Sequence, residues 1–116
     1  MKLEPLWDGL RDQHATSACG GKWRVSDLIE ATKHLKIINI PIDHINFDAY
    51  KFGNENIYQF AQHAKKCFDA DLKYPIIIDH MGGVLDGRHR LVKALILGKK
   101  MIKARRMENY ITPTIS

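Results

Sequence analysis

The chain has 116 residues, a formal charge of +5, 45% apolar and 27% charged residues. That length and balance suit one globular domain with a core of its own, and argue against a disordered or fibrous chain. No run approaches the roughly 18–20 apolar residues of a membrane span. The N-terminus carries Glu4 and Asp8 with no apolar segment, unlike a signal peptide, so the expected compartment is the cytoplasm, with no membrane partner.

Residues 1–22 show weak periodicity and end in Gly20-Gly21. They read as an N-terminal arm, with a short helical turn allowed around Pro5–Arg11. Residues 23–109 read as the domain, and 110–116, with Pro113, as a C-terminal tail. No repeat is present. Trp7 and Trp23 lie outside the core pattern; Trp23 could stack on a base, but packing the arm onto the domain is the better use for it.

Ser26–Lys36 predicts an amphipathic helix with Val25, Leu28, Ile29, Thr32 and Leu35 on one stripe and Ser26 as its cap. Ile37–Ile42 predicts a strand whose Pro41 suits an edge or a turn. Asn56 to about Asp71 predicts a second helix capped by Asn54 or Asn56, with Ile57, Phe60, Ala61, Ala64 and Phe68 buried. Pro75–Asp79 predicts a strand buried on both faces. Gly82-Gly83 supplies the positive φ of a tight turn, and Val84–Asp86 returns as a strand. Arg88–Leu97 predicts a helix with Leu91, Val92, Leu95 and Ile96 inward, ended by Gly98. Met101–Ala104 is a last strand. The class is α+β: a small mixed sheet with packed helices.

The junction Asp86-Gly87-Arg88-His89-Arg90 carries the chemistry. A helix start leaves unpaired N–H groups and partial positive charge, and Gly87 lacks a Cβ, so a phosphate can approach. Arg88 and Arg90 stand where the dipole disfavours cations, unless an anion is usually bound there. Arginine grips phosphate oxygens in pairs. His89 can donate to a phosphate or shuttle a proton. Lys93, one turn on, is a third positive group for the site. Asp86 caps the helix or holds Arg90. The plainer alternative is a junction whose arginines merely pair with Asp79 or Asp86. From Arg88 to Arg106 there are eight Lys/Arg and no acid; the other ten Lys/Arg against thirteen Asp/Glu leave −3 for the rest of the chain. That asymmetry points to an anionic partner.

Of six histidines, none pairs at i, i+4 in a metal-binding pattern, and no metal site is expected. Cys67 reads as a small core side chain and Cys19 as a free loop thiol; two cysteines make no disulfide framework.

Residues 75–104, with I-I-I-D, G-x-V-L-D-G-R-H-R-L-x-K-A-L and G-x-x-x-I, resemble the ParB/sulfiredoxin-like fold. The Ile40–Ile45 segment and the helix after it extend the likeness over roughly 37–107. Trp23–Glu30 and Ala70–Ile77 are similar to small stand-alone ParB N-terminal-like proteins of bacteria or phage. ParB proteins hold CTP phosphates with a G-x-x-R box, matched by Gly87 and Arg90. Sulfiredoxins hold ATP phosphates with G-C-H-R, matched by Gly87, His89 and Arg90. Their cysteine is replaced by Arg88, so sulfinic-acid repair is not expected. Kinases of this fold use a carboxylate base, for which Glu30, Asp43 and Asp79 are candidates.

The resemblance thus implies a nucleotide-binding domain, with phosphohydrolase or phosphotransferase chemistry on ATP or CTP with Mg²⁺. It implies Gly87, His89 and Arg90 on phosphate; from the residues themselves Arg88 and Lys93 join them there, with His89 as a catalytic proton shuttle and Asp79 or Glu30 as candidate catalytic carboxylates. The chain leaves no room for the helix-turn-helix domain of ParB, so a partition role by this chain alone is not expected. Two other functions stay open. One is a nucleic-acid-binding or nuclease module, disfavoured by few aromatics among the basic residues. The other is a non-catalytic regulatory domain that binds a protein. An oligomer is compatible with each.

Overall fold

In the computed structural model, residues 2–4, 14–16, 22–46 and 53–107 are described. In chain order these form β1 (His14–Thr16), β2 (Lys22–Arg24), α1 (Val25–Thr32), β3 (Ile38–Pro41), a 3-10 turn at Ile42–His44, α2 (Ile57–Asp69), β4 (Ile76–Ile78), β5 (Val84–Asp86), α3 (Arg88–Ile96) and β6 (Met101–Arg106). The domain is α+β. A four-stranded mixed sheet has the order β3-β6-β4-β5, and β1 and β2 form a separate antiparallel pair.

The unbroken isoleucine run of β4 is explained by its place inside the sheet. β6 runs parallel to it on one side and β5 antiparallel on the other. All three isoleucines are buried. Side chains alternate across a strand, so the run serves two cores. Ile76 and Ile78 join Ile40, Val84, Ile102, Ala104 and, from α3, Leu91 and Ala94. Ile77 and Leu85 point to the other face and meet Trp23, Val25, Leu28 and Met107. The register confirms the first face: Ile38 and Ile76 both pair with Ala104, and Ile40 with Ile102. The arrangement is therefore layered, with α1 and Trp23 on one face of the sheet and α3 on the other.

Several expectations hold in place and fail in extent. α1 starts at Val25 and stops at Thr32 rather than Lys36. Arg24 occupies the cap position and its side chain does not cap the helix, so Ser26 is not the cap. Thr32 is fully buried and returns its hydroxyl to the Leu28 carbonyl at 2.8 Å, which satisfies the group but competes with the ladder. β3 ends at Pro41 on the edge of the sheet, where a missing N–H costs nothing. β6 runs two residues past Ala104 because β4 offers it a parallel partner up to Arg106. Of the glycine pair, only Gly82 takes positive φ (84°), and a Cβ there would meet the His44 carbonyl oxygen at 2.8 Å.

Three burial expectations are corrected. α2 has the expected cap, a reciprocal box between Asn56 and Gln59. Its apolar stripe is not buried: Ile57, Phe60 and Phe68 are 91%, 66% and 64% exposed, and Cys67 is its buried residue. α3 likewise leaves Leu95 and Ile96 exposed and buries Ala94 beside Leu91. The reason is layering. α3 already covers the sheet, and α2 packs on α3 rather than on a strand. Trp23, read as peripheral, is 2% exposed and central to the second core. Residues expected in the arm, His14–Thr16, pair with the strand that carries it. The turn expected at Pro5–Arg11, Trp7, Cys19 and the tail lie outside the described residues. Among the described residues, no helix is long and apolar enough to cross a membrane.

Candidate anion site at the start of α3

β5 ends at Asp86, and one residue turns the chain into α3. That residue, Gly87, has φ 100°, a left-handed conformation glycine adopts without cost. Its bare side faces inward: a Cβ would lie 2.5 Å from Ile76 Cγ2 and 2.9 Å from Ile76 Cβ. The glycine thus lets the helix start sit down on β4, a role distinct from the ligand approach expected of it.

Arg90 is held by the fold. It donates to the Pro75 carbonyl at 2.6 Å and pairs with Asp86 at 3.3 Å, tying the end of β5 to the entry of β4. Asp86 therefore holds Arg90 and does not cap the helix. Lys93 gives its ammonium to the Ala70 carbonyl at 2.6 Å, at the C-terminal end of α2, where a cation suits the dipole. Asp79 is buried and accepts from the Met81 and Gly83 N–H groups, at 2.8 and 2.9 Å. It builds the β4–β5 turn, which occupies it as a structural group. Glu30 is exposed on α1, in the layer across the sheet from α3, and pairs with Lys33. Asp43 is exposed on the 3-10 turn. Of the sequence-derived residues, the structure brings Gly87, Arg88, His89, Arg90 and Asp86 together, and leaves Glu30 apart.

Two residues not singled out from sequence complete the site. His63 of α2 places Nδ1 3.3 Å from His89 Nε2, and its Nε2 lies 3.1 Å from Glu55 Oε2. The pair is 26 residues apart, so no local pattern could announce it. The usable sign was His63 standing one turn before Cys67, the buried position of the helix. A groove of about 190 Å³ between α2 and α3 is lined by Glu55, Phe60, His63, Ala64, Cys67 and Val92. Burial pushes the Cys67 thiol up from its usual pKa, so this cysteine is not a reactive thiolate.

His89 reports the electrostatics. Its pKa is lowered to about 4, first by burial, then by the positive charges of Lys66, His63, Arg88 and Arg90. A proton on His89 is therefore more costly in the folded chain than in the unfolded one. The unfolded chain binds more protons between pH 4 and 6.5, so stability rises with pH across that window and is lost as pH falls through it. We expect about 1–2 kcal/mol less stability at pH 5 than at pH 7.5 from this group, after solvent screening. Urea unfolding across the range measures it, and His89→Gln should flatten the slope; an unchanged slope refutes the assignment.

Among the described residues, no cluster of three or more His, Cys, Asp or Glu is placed to hold a metal ion. No model of a known protein family matches the chain, and no curated protein matches it.

Proposed function

We propose that the chain binds a phosphorylated ligand, foremost a nucleotide such as ATP or CTP, at the start of α3. One observation carries this reading. Lys66, Arg88 and Arg90 concentrate positive charge on His89 in the first turn of a helix that has no side-chain cap and no acid there. Asp86 offsets Arg90, and the remaining positive charge at the positive end of the dipole favours a bound anion. Arg90 is tied to Pro75 and Asp86, and Lys66 and exposed Arg88 add positive charge for a phosphate, alongside the helix N–H groups. The β5–Gly87–α3 junction is also what supports the ParB/sulfiredoxin-like reading. Mg²⁺ belongs to this proposal as a companion of the nucleotide, neutralising its phosphate oxygens, with Asp86 the nearby carboxylate.

Calorimetry with ATP, CTP, GTP and ADP, with and without Mg²⁺, tests the proposal. Binding of at least one is expected, and Arg88→Glu should weaken it tenfold or more while the circular dichroism spectrum stays unchanged. Bound phosphate should also raise the pKa of His89, visible in its ring proton shifts. No heat from any nucleotide with folded protein overturns the reading. Affinity for a DNA or RNA oligonucleotide that collapses with salt, without nucleotide binding, would move the assignment to nucleic acid.

A further inference from the structure

α2 is an amphipathic helix whose apolar side is largely uncovered. Cys67 is buried, while Ile57, Phe60 and Phe68 stand in solvent. Ile96 of α3, 59% exposed, continues the surface. Phe60, Phe68 and Ile96 also line the groove between the two helices, together with Ala64 and Val92. Ile57, Phe60, Phe68 and Ile96 alone expose roughly 500 Å² of apolar area, near the upper end of what one patch on a monomer shows. The polar side of α2 is already engaged within the chain: Lys65 pairs with Asp69 at 2.8 Å, and the Gln62 amide donates to the Glu4 carbonyl at 3.1 Å.

The pattern along α2 is self-complementary. Phe60, Ala64 and Phe68 lie four residues apart on one ridge of the helix, large, small and large, with the rings evenly placed about the alanine. Ridges of this spacing interdigitate at a crossing near −50°, the commonest helix packing in globular proteins. A second copy laid antiparallel across the first, on a twofold axis at Ala64, brings Phe60 of each against Phe68 of the other. The alanine at the crossing point lets the two backbones approach. Such a contact is isologous and closes at two chains. The groove beside the ridge, about 190 Å³, has room for a ring, since a cavity of roughly 150 Å³ already takes up benzene.

Area favours this occupant. Two copies of the patch bring together roughly 1,000 Å² of apolar surface, and at the usual apolar share of about 60% the whole contact buries roughly 1,600 Å², the standard size for a specific complex. A small apolar molecule in the groove would instead leave Ile57, which does not line it, in water.

We propose that the α2–α3 face is a homodimer interface, in which a second copy of this chain crosses α2 at Ala64 and packs Phe60 on Phe68 in both directions. The proposal is independent of the phosphate-binding reading. Each chain carries a formal +5, so like-charge repulsion opposes association and holds the dissociation constant at about 10–100 µM. At the lower concentrations of unfolding measurements the chain is single, and the contribution of Phe60 appears in association rather than in the stability of the monomer.

Sedimentation equilibrium of the full chain, from about 5 to about 500 µM, tests the proposal. Expected is a monomer–dimer equilibrium that tightens as salt rises, because screening removes the repulsion and leaves the apolar contact. Phe60→Glu and Phe68→Glu should each weaken the dimer tenfold or more with an unchanged circular dichroism spectrum, since both side chains are exposed. Ala64→Cys should form an interchain disulfide under mild oxidation, above the background set by Cys19 and Cys67 in the wild type. A chain that stays monomeric at the highest concentration overturns the proposal and leaves the face to an amphipathic helix of another protein. A dimer that Phe60→Glu and Phe68→Glu leave intact, one that loosens with salt, or an assembly of more than two chains overturns it as well. Absence of the Ala64→Cys cross-link in a dimeric sample overturns the crossing at Ala64.

Discussion

Gly87→Ala is expected to be the most damaging single-methyl change in this chain, lowering stability by about 2–5 kcal/mol in urea or thermal unfolding. Two costs add at one atom. An L-residue at φ 100° is strained by roughly 1–3 kcal/mol. The new Cβ also falls 2.5 Å from Ile76 Cγ2, so the start of α3 must lift off β4, for roughly another 1–3 kcal/mol. Trimming the neighbour should not rescue the variant, because Ile76 Cβ itself stands 2.9 Å away and Ile76 is a fully buried member of the main core. A Gly87→Ala protein as stable as the parent would show that the junction is built differently. For a domain whose total is about 5–15 kcal/mol, this change alone brings it close to unfolding. It follows that Gly87 variants cannot report on ligand binding, and exposed Arg88 is the informative position.

Trp23→Ala should cost about 3–5 kcal/mol, the usual range for deleting a buried indole. Trp23 is 2% exposed and packs with Val25, Leu28, Ile77, Leu85 and Met107, so its loss opens the core beneath α1 and loosens β2 at once. The same truncation at Phe60 is the control. Sequence periodicity alone ranks Phe60 as the core residue and leaves Trp23 outside the core pattern. With Phe60 66% exposed, Phe60→Ala should cost under about 1 kcal/mol. Equal losses at the two positions would mean that α2 packs its aromatic face against a surface in solution.

These two residues show what was legible in the chain and what was not. β4, β5, the capped start of α2, the Gly98 end of α3 and the α+β class follow from local signals: an apolar run, an Asn–Gln box, a glycine after the last helical turn. Periodicity places Phe60 in the core and Trp23 outside its pattern, because it says that a helix has an apolar side, not which layer meets it. The sheet face that α2 might have covered is taken by α3. At the candidate site, Gly87 through Arg90 are contiguous in sequence and were found together. Glu55 and His63 reach the same place only through the packing of α2 on α3. Asp79 and Glu30 were plausible as bare carboxylates; one is consumed by the turn between β4 and β5 and the other lies across the sheet. Arg90 and Lys93, expected on phosphate from their place near the turn, also bond to the Pro75 and Ala70 carbonyls, contacts that only the fold reveals.

The position of β6 bears on how the chain comes off the ribosome. This strand lies between β3 and β4, yet it follows both in sequence, at Met101–Arg106. While residues 38–96 emerge, β3 and the β4–β5 pair have no strand to join them, and each presents an open edge to solvent and to other nascent chains. The sheet becomes continuous only when the last strand slides between them, so vectorial synthesis cannot give partial credit: a chain arrested at Gly98 would hold most of the core residues and no complete sheet. Folding of this domain should therefore be abrupt and wait for β6, with helices formed early and the sheet assembled in a single late event.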